Sequence, residues 1–241
     1  MQPSSPLPPK PFAKIVRPHL TRLPEYTLWR RVFRLFMWVI FRLITTLGLK
    51  LKIVGLKNFP SRGPALIVLN HLGDTDIVLI LSHLPTLSVD PLAASDLFDL
   101  GWQGSMIEQY GAIFLHRGHP DRRAMTCALE SLTRGRYVSI APEGRESLNE
   151  GLEEGLSGAA FLALKADVPI IPIAVTGTEN KRVFPNLKKW KRTPVSLTVG
   201  QPFRILHTGD RRADLKNGTE RIMRELAKLL PAEYQGIYRE G

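Results

Sequence analysis

The amino-acid sequence predicts an α/β fold: a single domain with a mainly parallel or mixed sheet flanked by helices, preceded by a basic amphipathic helix. Three observations carry that expectation. From Leu51 onward, short apolar and β-branched runs alternate with helical text, as a sheet with helical crossovers requires. With 241 residues and 44% hydrophobic side chains, the chain is long enough to bury one sizeable core. Charge is also segregated, because residues 1–62 hold 12 of the 33 Lys/Arg but only one of the 22 Asp/Glu, Glu25. Beyond residue 62 the two signs balance at 21 each, so the net +11 resides in an N-terminal arm.

The elements follow in order. Residues 1–27 form a basic lead whose first 18 residues carry six prolines and few large apolar side chains, so a poorly ordered or extended segment is expected. Residues 28–50 are rich in Phe, Trp, Leu and Ile but interrupted by Arg30, Arg31, Arg34 and Arg42. A membrane-spanning helix needs about 20 mostly apolar residues, whereas the longest charge-free run in this core, Leu35–Phe41, has seven. Arg31, Arg34 and Arg42 recur near helical spacing while Phe33, Phe36, Val39, Ile40 and Leu43 fill other faces. That pattern predicts an interfacial helix lying in a lipid headgroup layer. It lacks the clean apolar run and small-residue cleavage site of a signal peptide, so no cleavage is expected.

Residues 51–241 form the domain proper. Strands are expected in LKIVGL, PALIVLN, AIFLHR, YVSIAP, PIIPIAV and VSLTVG, bounded by turn formers such as Gly63 and Pro64. Helices are expected in IVLILSHL, Arg122–Arg134, Leu156–Ala166 and Asp214–Leu230. Gly155 and Gly158 suit close packing of a helix on the sheet. The stretch KRVFPNLKKWKR at 181–192 holds six cations and no acid, with Phe184 and Trp190 interleaved. It reads either as a contact to a membrane or to the phosphates of a thioester cofactor, or as a solvated loop; cations among aromatics also mark single-stranded nucleic-acid surfaces. The lone cysteine, Cys127, excludes an internal disulfide and a multi-cysteine metal site, and its apolar-spaced setting predicts a buried, inert thiol.

The chemistry-bearing text begins where the run PALIVLN ends at Asn70 and passes into His71-Leu72-Gly73-Asp74-Thr75-Asp76. Loops beyond the carboxyl ends of strands are where α/β folds place working residues. An imidazole titrates near neutrality and takes a proton from a hydroxyl, provided a carboxylate on its other nitrogen fixes the tautomer. Asp74 and Asp76 both stand within reach by spacing, and either also suits the first turn of the helix that follows.

With Asn70, His71 and Asp76 as an Asn-His followed by four residues and an Asp, the chain resembles the glycerolipid acyltransferases of the lysophosphatidic-acid acyltransferase superfamily. GAIFLHR matches the family's second block and places Gly111, Phe114 and Arg117; VPIIPI matches the fourth, with Pro169 and Pro172. The third block, Pro-Glu-Gly-Thr-Arg-Ser in most members, reads Pro142-Glu143-Gly144-Arg145-Glu146-Ser147 here. Its arginine is one place early. The blocks occur in order between about Lys52 and about Gly200.

The resemblance implies direct acyl transfer from an acyl thioester, acyl-CoA or acyl-carrier protein, to the free hydroxyl of 1-acyl-glycerol-3-phosphate, giving phosphatidic acid. His71 is then the base and Asp76 stabilises the imidazolium. Arg117 and Arg145 offer forked donors to a phosphate and Glu143 accepts from a glycerol hydroxyl; Asn70, Gly111, Phe114, Gly144 and Pro172 complete the substrate site. No bound cofactor, metal or nucleic acid is expected, and His116, inside the second block, is expected to face the site. An anionic membrane at its cytoplasmic face is the expected partner, held peripherally or monotopically. The alternatives are another acceptor, such as glycerol-3-phosphate or another lysolipid, hydrolysis with water as acceptor, and a non-catalytic membrane- or nucleic-acid-binding protein.

Overall fold

A computed structural model describes residues 8–239, so the expectation of an extended lead over residues 1–7 lies outside the described residues. The apolar runs become strands: β1 (Leu49–Val54), β2 (Ala65–Leu69), β3 (Val89–Ala94), β4 (Ile113–Leu115), β5 (Tyr137–Ile140), β6 (Ile170–Thr176) and β7 (Thr193–Val199). The helices are α1 (Leu28–Gly48), α2 (Thr75–His83), α3 (Trp102–Tyr110), α4 (Arg122–Thr133), α5 (Gly158–Ala166), α6 (Asn180–Lys188) and α7 (Arg211–Ala227). One seven-stranded sheet has the order β1-β7-β6-β2-β5-β3-β4. Every pairing is parallel except β6 with β7, which makes the sheet mixed, as expected.

The sheet is covered on both faces, which is why β2 reads as an unbroken apolar run rather than an alternating one. Leu66 and Val68 point into a core completed by α4, α5 and α7, whereas Ala65, Ile67 and Leu69 point into one completed by α1, α2 and Val183 of α6. Each fully buried aliphatic side chain stabilises this arrangement by about 1.5–3 kcal/mol relative to exposure. Gly155 packs closely, since a Cβ there would lie 2.7 Å from Met223 Cγ, whereas a Cβ at Gly158 would only touch Ile140 at 3.9 Å.

Three elements escape the sequence reading. β3 and α3 were not anticipated, and residues 180–188, expected in a loop, form α6. Residues 8–27 also pack instead of hanging free. Ala13 N–H donates to the Arg117 carbonyl at 2.8 Å and the Thr21 hydroxyl to the Phe114 carbonyl at 3.0 Å, which lays the lead along β4 and the loop after it.

The helix α1 forms where expected, capped by the Thr27 side chain, but its arginines do not share one outward face. Arg34, 1% exposed, points into the protein and pairs with Asp90 of β3 at 2.7 Å. Its guanidinium also donates to the carbonyls of Tyr110 and Leu87 and to the Tyr26 hydroxyl. Asp90 in turn accepts from Tyr26, Ser131 and Arg136, so the buried charge is fully partnered. The opposite side exposes Val32, Leu35, Phe36, Val39, Leu43 and Leu47, an apolar stripe at helical spacing. Among the described residues, no helix is long and apolar enough to cross a membrane.

Candidate active site

The loops after β2, β5 and β6 meet at the carboxyl ends of these neighbouring strands. Asn70, buried at the end of β2, exchanges two hydrogen bonds with Val175 of β6, donating to its carbonyl at 2.9 Å and accepting from its N–H at 2.8 Å. The carboxamide thereby extends the β2–β6 ladder and fixes where His71 leaves the strand.

His71 Nδ1 lies 2.8 Å from Asp76 Oδ2, and the same oxygen accepts the backbone N–H groups of Leu72 and Gly73 at 2.6 and 3.0 Å. Because an ionised carboxylate only accepts, Nδ1 carries the proton and Nε2 keeps its lone pair. Asp76 is wholly buried in the first turn of α2, while the His71 side chain is 29% exposed. Asp74, the other carboxylate that spacing allowed, instead exchanges hydrogen bonds with Asn180 at the start of α6. Burial alone would lower the His71 pKa; the hydrogen bond and charge of Asp76, then the charges of Glu146 and Glu143, reverse this and leave it raised.

The loop after β5 grips the His71 backbone from both sides. Glu143 Oε1 accepts His71 N–H at 3.3 Å, and Ser147 N–H donates to the His71 carbonyl at 2.7 Å. Glu143 Oε2 takes the Ser147 hydroxyl and the Glu153 N–H, both at 2.8 Å. The carboxylate is thus occupied by the protein's own donors, and burial raises its pKa to about 6. Gly144 provides a left-handed turn at φ +73°.

The arginines differ from expectation. Arg145 is buried, its Nε bonded to Glu153 at 2.7 Å and its Nη1 to the Pro8 and Pro9 carbonyls of the lead, so it does not present an open fork to a phosphate. Arg117 is half-buried, with Nη2 at 3.2 Å from Asp96 and a buried Nε that has no partner among the described residues. Glu146, between Arg145 and Ser147, is half-buried and its pKa is raised by burial, against which His71 pulls it down.

The remaining expected site residues act as framework. Gly111 ends α3 at φ +94°, and a Cβ there would come within 2.8 Å of Pro24 and 3.1 Å of Arg34 Nη2. Phe114 is buried on β4, edge-on to Phe98. Pro172 is buried in β6, paired in register with Val68, and its carbonyl accepts from Gly200. His116 has both ring nitrogens engaged: Nδ1 meets Asp121 at 2.6 Å and Nε2 accepts Arg17 N–H at 2.8 Å. Cys127, in α4, is partly buried with a raised thiol pKa. Asn180 was missed because its partner Asp74 lies 106 residues away in sequence, and no local pattern encodes that contact.

Comparison with known proteins places the chain in a family and a fold. The family model described as Acyltransferase matches residues 50–176. The lyso-ornithine lipid O-acyltransferase of Pseudomonas aeruginosa is 34% identical over 158 residues, 64% of this chain and 58% of that protein. The mouse 1-acyl-sn-glycerol-3-phosphate acyltransferase alpha is 30% identical over 136 residues, covering 55% and 47% of the two chains. This chain thus spans about half the length of these curated relatives. The crystal structure of the 1-acyl-sn-glycerophosphate (LPA) acyltransferase of Thermotoga maritima superposes with a TM-score of 0.64 at 23% identity, over 83% of this chain and 80% of that one, and shares the fold.

Proposed function

Since the chain belongs to the acyltransferase family, we propose that it transfers a fatty acyl group from an acyl thioester to the free hydroxyl of a monoacyl lipid. The observation that carries this reading is the His71–Asp76 pair, with Nδ1 held at 2.8 Å from a buried carboxylate and Nε2 on the exposed side of the ring. Nε2 removes the hydroxyl proton as the oxygen attacks the thioester carbonyl. The tetrahedral adduct then expels the thiolate, which takes the proton back from the imidazolium that Asp76 has stabilised. No covalent enzyme intermediate is required.

Glu143 and Asn70 act as positioning residues, because their hydrogen bonds end on the His71 loop and on β6. Arg117 receives the acceptor's anionic group, since its Nε is buried and unfilled. The acceptor implied by the motifs is 1-acyl-glycerol-3-phosphate, giving phosphatidic acid, with acyl-CoA or acyl-carrier protein as donor. A second acceptor reading is favoured by the Pseudomonas relative, whose name specifies a lyso-ornithine lipid.

The reaction takes place at an anionic membrane surface, on the cytoplasmic face, with the protein held peripherally. The exposed stripe of α1 supports this, since large apolar patches on soluble surfaces mark contact sites. So does the end of α6, where Leu187 meets Gly48 of α1 and Trp190, 96% exposed, stands among Lys188, Lys189 and Lys191. The test is thiol release from acyl-CoA and from acyl-carrier protein, with and without lysolipid, with the products identified by mass spectrometry. Acceptor-dependent release with a diacyl product supports the reading. Release without acceptor and without a new lipid would point to hydrolysis instead.

A further inference from the structure

Glu146 stands where the resembling family most often has an arginine, so the charge at that position is inverted. Residues on both sides of it are hydrogen-bonded to the His71 backbone. Ser147, the next residue, is fastened to the His71 carbonyl at 2.7 Å, and Glu143 to the His71 N–H, which holds the intervening loop beside the imidazole. Glu146 is half-buried, lies close enough to His71, Asp74 and Arg117 for their charges to act on it, and has no hydrogen-bond partner among the described residues. A carboxylate in that state is an open acceptor beside the imidazole.

The arginines next to it are each already engaged with a carboxylate. Arg145 is tied to Glu153 and to the lead, while Arg117 gives Nη2 to Asp96 and has a buried Nε without a partner among the described residues. Near His71 there thus stand one guanidinium, partly balanced by Asp96, and one carboxylate without a hydrogen-bond partner among the described residues. A lysophosphatidic acid headgroup would satisfy the first and be repelled by the second. A headgroup carrying both an ammonium and an anion satisfies both through charge-assisted hydrogen bonds.

We propose that the acceptor is a zwitterionic monoacyl lipid, its ammonium group received by Glu146 and its anionic group by Arg117. This rests on the acyl-transfer reading above. Selectivity arises from what each headgroup leaves unpaired, which discriminates more sharply than apolar fit.

The test uses the full chain with acyl-CoA and acyl-carrier-protein donors and four acceptors: lysophosphatidic acid, lysophosphatidylethanolamine, lyso-ornithine lipid, and N-acetyl-lysophosphatidylethanolamine, which lacks the ammonium. kcat/KM is measured for each. The wild-type protein should favour an ammonium-bearing acceptor over its N-acetyl counterpart and over lysophosphatidic acid by roughly 10- to 100-fold. Glu146→Gln should remove most of that preference, the loss falling more heavily on the ammonium-bearing acceptors than on the N-acetyl one, and Glu146→Arg should turn the preference towards lysophosphatidic acid. The comparison among acceptors on unmutated protein stands even if a variant fails to fold. A wild-type preference for lysophosphatidic acid, or an equal loss on all acceptors in Glu146→Gln, overturns the proposal while leaving acyl transfer intact. Absence of transfer to every acceptor overturns both.

Discussion

A histidine acts as a base near neutral pH only if its proton sits on the nitrogen turned away from the substrate. At His71 that is arranged by one oxygen, Asp76 Oδ2, which accepts the ring N–H and the N–H groups of Leu72 and Gly73. The raised His71 pKa has a direct kinetic consequence. Under the proposed mechanism the base works when neutral, so kcat/KM falls as pH drops through that pKa, and the acid limb of the profile should lie above the ordinary histidine value of about 6.5. Asp76→Asn removes the two strongest raising influences, so the limb should move to lower pH while the plateau falls. A limb at or below the ordinary value, or one unmoved in Asp76→Asn, contradicts this assignment. At this scale the sequence was informative about His71 and Asp76, because six consecutive residues contain both partners. It left Asp74 open, since what removes that carboxylate from His71 is Asn180, far along the chain. It also misplaced Arg145, whose partner Glu153 lies in the following loop and whose cover comes from the lead.

Among the elements, α1 is the one whose location is plain in the text and whose orientation is not. Periodicity announces a helix between Leu28 and Gly48, but the side that turns inward is set by Asp90, a residue of β3 that is 56 positions from Arg34. β3 itself is masked because Asp90 and Pro91 interrupt its apolar run, and a buried aspartate makes sense only once Arg34, Arg136 and Ser131 are seen around it. α6 is masked by its cations and by Pro185. The buried pair makes a sharp prediction. Arg34→Ala leaves Asp90 partly uncompensated and should cost about 3–5 kcal/mol in urea unfolding, seen as a lower midpoint at unchanged slope. A cost under about 1 kcal/mol, the usual range of an exposed pair, would show that Arg34 is not the clasp between α1 and the sheet.

Across the whole molecule, the segregation of charge read from the sequence has a structural counterpart. The basic arm holds α1, whose outward side is apolar, and α1 ends against α6 with its own cations and Trp190. β1 follows α1 and β7 follows α6, and both run antiparallel to β6 and β2, so both helices hand over to the sheet at the edge where His71 emerges. On the proposed reading, an amphiphilic acceptor in a bilayer approaches the base from this edge. Phe36→Glu with Val39→Glu should weaken sedimentation with anionic vesicles by about tenfold or more, judged from the apolar burial lost, with little change in thermal midpoint because both side chains are exposed. Added salt should weaken binding without abolishing it; unchanged binding of the double variant would remove α1 from the membrane contact. The central claim, that His71 is the base of an acyl transfer, is tested most directly by following acyl transfer to lysolipid from a labelled thioester in the wild type and in His71→Ala, alongside thermal unfolding of both. The account predicts a rate lower by roughly 10²- to 10⁴-fold with the unfolding midpoint kept, whereas a His71→Ala protein that is folded and transfers acyl groups at the wild-type rate would contradict it.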